Sequence, residues 1–163
     1  MSDYERTSRE CVTINQLRPE LVSAIRAFLE KNDLKNIESE IVMCCETTST
    51  KRRKGLFDGL LGGDPDPVHY IGVLITPTWL IWGRNGAKYG TAVSSARTSE
   101  IEIPKTDLRL QQMGLNNSQD GISIFGFING SAERASAYIG LGKESAALRF
   151  IEILKDTIAK AKR

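Results

Sequence analysis

The stretch TKRRKGLFDGLLGGDPDP, Thr50 to Pro67, carries the most concentrated chemistry in the chain. Lys51, Arg52, Arg53 and Lys54 are consecutive cations; Leu56, Phe57, Leu60 and Leu61 follow, separated by glycines, and an acid–proline repeat closes the run. Such a sequence attracts anions and buries apolar surface; it does not make or break bonds. Near an anionic leaflet each cation contributes roughly 1 kcal/mol, up to about 4 for the run. Asp58, Asp64 and Asp66 oppose that attraction. Each apolar side chain, fully inserted, adds ~1.5–3 kcal/mol. Peripheral attachment takes both signals, less the cost of ordering a glycine-rich loop. The same residues also suit docking on a partner protein or a second copy, or folding back onto their own domain. All three uses stay open at this point.

No catalytic residue is predicted. Nucleophilic catalysis needs a base beside the nucleophile, and His69, the only histidine, has no evident partner in sequence. Asp64-Pro65-Asp66 lacks the ligand count of a calcium loop. Cys11, Cys44 and Cys45 show neither metal spacing nor a CxxC pair, and the adjacent Cys44 and Cys45 point to opposite faces of a strand, one in a core and one half-exposed. GFINGSAERAS supplies glycines without the strand-to-helix setting of a phosphate loop. No metal, cofactor or small-molecule substrate is expected.

The 163 residues suffice for one domain with its own core. A net charge of +2, with one basic run and no basic face interleaved with stacking aromatics, argues against nucleic acid. No apolar run reaches the ~20 residues of a membrane span, and MSDYERTSRE has no signal-peptide core. A cytoplasmic protein is expected, peripheral at the membrane if the basic run touches lipid.

Residues 1–12 read as a loose tail and 13–37 as an N-terminal helical extension. There Thr13 and Gln16 suggest a capping box, Pro19 suits a first turn, and Leu17, Leu21, Ile25, Phe28 and Leu29 share a face. The period then becomes alternating. IVMCCETTST, VHYIGVLIT and WLIWGR predict three strands, with Trp79 and Trp82 on opposite faces. Asn85-Gly86 predicts a tight hairpin turn. YGTAVSSARTSEIEIP, LRLQQM, ISIFGFI and ASAYIGLG predict four more strands, with a turn at Asn129-Gly130. KESAALRFIEILKDTIAKAK is an amphipathic helix whose stripe runs through Ala147, Ile151, Leu154, Ile158 and Ala161, widened by Leu148 and Phe150. Strands joined by hairpin-length turns argue for an antiparallel sheet or barrel.

YIGVLITPTWLIWGR, with Leu74, Thr76, Leu80 and Ile81, is similar to the two-strand hairpin of bacterial pleckstrin-homology-like proteins. ARTSEIEI and AYIGLGKESAALRFIEILKDTI are similar to a later strand and the final strand and helix of that superfamily, which includes GRAM domains. The resemblance implies an α+β fold over 38–163: a barrel of about seven antiparallel strands capped by the C-terminal helix. It also places Lys51–Pro67 where many members hold phosphoinositide headgroups between basic residues; Lys51–Lys54 match one side of that pattern, and the other side offers only His69. The expected function is a non-catalytic binding module for protein–protein interaction or self-association. The alternative is a module that binds anionic phospholipid through loop 51–63.

Overall fold

A computed structural model describes residues 3–52, 66–104 and 121–163. Among them are β1 (Tyr4–Cys11), α1 (Pro19–Lys31), β2 (Met43–Lys51), β3 (Val68–Ile75), β4 (Trp79–Gly86), β5 (Gly90–Arg97), β6 (Gly121–Gly126), β7 (Ala135–Gly140) and α2 (Ser145–Ala161). β1 to β5 form an antiparallel sheet in chain order, and β6 and β7 form a separate hairpin.

The large sheet is covered on both faces. Alternation along β2, β3 and β4 sends Met43, Cys45, Val73, Ile75 and Leu80 to one side, where they meet β6, β7 and α2. Cys44, Leu74 and Ile81 point the other way, under Leu21, Ile25 and Leu29 of α1. Gly72 and Gly83 pair directly and form a shallow seat for that helix. A Cβ at Gly72 would lie 3.2 Å from Leu17 Cδ1, and one at Gly83 3.3 Å from Leu21 Cδ2. Trp82 packs in the first core and Trp79 in the second, on the opposite faces their parity requires. Cys44 and Cys45 are both buried, because neither face of the sheet is left to solvent.

Among the described residues no barrel is formed: the two sheets share no strand, and one isolated bridge joins Glu102 to Phe125. Side chains stand at both seams where closure would occur. Asn129 Oδ1 accepts the Ser95 N–H at 2.8 Å on the outer side of β5. On the outer side of β1, Glu144 Oε2 accepts the Ser8 N–H at 3.0 Å and Ser8 Oγ accepts the Gly142 N–H at 2.8 Å. The pleckstrin-homology-like architecture implied by the resemblance is overturned by this open, two-sheet α+β arrangement.

Four local expectations change as well. Tyr4–Cys11 is not a loose tail but an edge strand fully registered on β2, held there by Ser8–Thr47 hydroxyl contact at 2.7 Å. Thr13 makes no cap; Gln16 Oε1 reaches back to the Val12 N–H, and α1 begins at Pro19. The β4–β5 turn falls at 87–89 rather than at Asn85-Gly86, since Gly86 pairs with Gly90. The Asp66 carboxylate lies against Gly86, where a Cβ would clash, and accepts the Lys88 and Tyr89 N–H groups. Gly90 then supplies the positive φ of 66° that a three-residue connection needs. Asn129 and Gly130 both have positive φ, as their turn requires. α2 buries Ala147, Phe150, Leu154 and Ile158, but Leu148 is exposed. The predicted strand LRLQQM lies outside the described residues. No helix among the described residues is long and apolar enough to cross a membrane.

Candidate functional site

The basic run starts where β1, β2 and β3 come together. Lys51 ends β2 and donates its N–H to Pro67 O at 2.7 Å; the exposed Arg52 donates its own to Asp3 O at 2.8 Å. Arg53, Lys54, Leu56, Phe57, Leu60 and Leu61 lie outside the described residues. Beside Lys51 the sheet carries a polar cluster. The Tyr4 and His69 rings meet edge-on, 4.9 Å between centroids. The Arg6 guanidinium lies 5.5 Å from the Tyr4 ring and 5.8 Å from the Tyr138 ring.

His69 is buried, and that burial, reinforced by the charges of Arg84 and Arg6, pushes its pKa down to about 4. It is therefore neutral at neutral pH. Ser49 stands opposite it in register. His69 Nδ1 and Ser49 Oγ have no partner among the described residues, while Asp66 is committed to the β4–β5 turn. A serine, a histidine and an aspartate lie close together without the bonds that would make a charge-relay chain. Among the described residues no group of His, Cys, Asp and Glu is arranged to hold a metal ion.

A different site is formed by α1 and β5. In an antiparallel ladder, residues alternate between exchanging both backbone bonds with the neighbour and pointing both groups away. Ser95 turns its N–H outward to Asn129, so Val93 and Thr91, of the same parity, also face outward. Among the described residues nothing accepts or donates at those outward backbone groups. Next to them, between the end of α1 and the sheet, lies a groove of about 260 Å³ lined by Phe28, Leu34, Trp79, Ser95, Arg97 and Asn129. The Arg97 guanidinium lies 5.0 Å from the Trp79 ring at its rim.

The two edges of the sheet are built differently. β1 reads YERTSREC, with four charged residues; its outward Ser8 N–H meets Glu144, and the Ser8 hydroxyl accepts the Gly142 N–H. Arg149 pairs with Glu10 on the same edge at 3.1 Å. β5 reads GTAVSSAR, without a charge before Arg97 and without proline. Charges and prolines are the usual guards of an edge strand. The sequence signal for this site was that unguarded run of small residues, which also reads as close packing or a bulge. A larger groove of about 470 Å³, lined by Val42, Pro77, Ile153, Thr157 and Lys160, has no open backbone beside it at Val42, whose N–H reaches Ile75 O at 2.8 Å.

No family model, curated protein or solved structure matches this chain.

Proposed function

We propose that this protein is a non-catalytic, cytoplasmic binding module that captures an extended, acidic segment of a partner protein by strand addition to β5. The outward N–H and C=O groups of Thr91 and Val93 carry this reading. A peptide strand laid along them gains backbone bonds worth about 0.5–1.5 kcal/mol each net, and its alternate side chains reach the groove under α1. Charge selects the occupant. From Arg84 through Arg97 the chain has three cations, Arg84, Lys88 and Arg97, and no acid. A second copy pairing its own β5 about Val93 would set Arg97 opposite Tyr89, beside Lys88, and repel. A strand bearing Asp or Glu is complementary.

The test is selection of a displayed library of random short peptides on the purified chain, repeated with Val93→Pro and Arg97→Glu. Proline at an outward edge position removes the donor and leaves the β4 ladder intact. Recovery of acidic, alternating sequences that lose binding to Val93→Pro and weaken at least tenfold with Arg97→Glu supports the proposal. Peptides indifferent to both changes overturn it. Self-association by size exclusion, abolished by Val93→Pro, would replace the acidic partner with a second copy. Cosedimentation with phosphatidylserine vesicles, lost on reversing Lys51 and Arg52 to Glu, would move the function to the basic run.

A further inference from the structure

Cys11 is the last residue of β1 and sits directly opposite Cys44 of β2. The β1 residues that exchange bonds with β2 alternate with Ser8, whose N–H faces outward, so Cys11 and Cys44 occupy a hydrogen-bonded pair. Cα atoms at such a pair are about 5.5 Å apart, within the usual span of a disulfide. Both side chains lie in the same buried cluster, under Ile14 and Leu17. Cys45, although adjacent in sequence, belongs to the core on the opposite face.

We infer that Cys11 and Cys44 form a reversible, peroxide-sensitive dithiol pair that staples the end of β1 to β2. Cys11 and Cys44 are 3% and 1% exposed, so a small oxidant reaches them when the last residues of the edge strand β1 fray from β2. Cys11 is the attacking member: the Cys44 thiol and the Arg9 guanidinium favour its thiolate, while Cys44 is pushed up by the same contact and by burial. Burial holds Cys45 at about 12, so it stays a thiol. The Cys11 thiolate attacks one oxygen of hydrogen peroxide, giving a sulfenic acid and hydroxide. The Cys44 thiol then attacks that sulfur and water leaves. Two thiols are oxidised to one disulfide and one peroxide is reduced to two waters. A dithiol reductant reverses the step by exchange. The link closes the chain around the whole of α1.

The experiment treats the reduced, full-length chain with hydrogen peroxide and maps non-reduced proteolytic peptides by mass spectrometry. A Cys11–Cys44 peptide, loss of two hydrogens from the intact mass, and recovery with dithiothreitol are expected. Cys45→Ser keeps the link; Cys11→Ala and Cys44→Ser abolish it, with circular dichroism confirming that each variant is folded. The linked chain should unfold at higher urea than the reduced chain and return after reduction. Oxidation that leaves Cys11 and Cys44 unlinked, a link through Cys45, or a urea midpoint that fails to rise would overturn the inference. Cys11→Ala, at the strand end, keeps the test decisive if Cys44→Ser does not fold.

Discussion

Asn129 Oδ1 meets the Ser95 N–H at 2.8 Å, so a side chain occupies one end of a strand edge that is otherwise open among the described residues. Asn129 reaches it from a left-handed turn, φ 54°, where asparagine is tolerated better than most residues. Asn129→Ala loses the bond and adds strain. Urea denaturation should show a loss of about 1–2 kcal/mol. The variant should also lengthen the free edge by one donor, so peptides selected on the wild-type chain should still bind. Unchanged stability would mean that the contact does not hold the edge.

Glu46 is a buried carboxylate with a structural task. It accepts the Arg18 N–H at 2.6 Å and the Arg9 guanidinium at 2.8 Å, and Arg18 immediately precedes the first residue of α1. The carboxylate thus completes the helix N-terminus from the neighbouring sheet. Glu46→Gln should cost about 1–3 kcal/mol at neutral pH, read as a lower urea midpoint with an unchanged slope. A fall in slope instead would point to a changed denatured state.

Protonation of His69 should destabilise the protein. Its folded pKa, about 4, lies below the value of 6.5 for a free histidine. Between those values the unfolded chain binds a proton that the folded chain does not. The contribution is fully present above the upper value and is lost as pH falls towards the lower one, by up to ~1.4 kcal/mol per pH unit. Unfolding free energies for wild type and His69→Gln, measured across this window, should converge towards acid. Parallel curves would refute the assignment.

The glycine seat beneath α1 admits little extra volume. Gly83→Val places methyl groups against Leu21 and Ile25 and should cost about 1–3 kcal/mol by overpacking. Exposed Leu148 is the control: Leu148→Ser should change thermal unfolding by less than about 0.5 kcal/mol. Similar effects from the two would contradict the packing described for the helix.

The sequence reveals the elements of this molecule more readily than their assembly. β2, β3, β4 and α2 follow from alternation and helical spacing, because residues such as Val73, Leu80 and Leu154 obey the period of the surface they bury. β1 was hidden because YERTSREC looks solvated: it lies at an edge, and only Ser8 and Cys11 of its eight residues are buried. The Asn85-Gly86 turn was displaced by Asp66, a residue far away in sequence that local propensity cannot register. Barrel closure depends on what meets the outer strands, and the contacts of Asn129 at β5 and of Glu144 and Gly142 at β1 come from elsewhere in the chain. Of the expected binding residues, Lys51 and Arg52 flank the polar cluster, whereas Val93 and Arg97 gave only the indirect signal of an undefended edge.

Joining β1 to β2 has a temporal consequence. β4 and β5 meet the strands before them through short turns, but Tyr4 must wait for Lys51, with all of α1 threaded between them. Contacts so separated along a chain form slowly. During synthesis, therefore, β1 emerges first and stays unpaired until β2 has followed, and stray pairing threatens the newborn molecule along β1 in that interval.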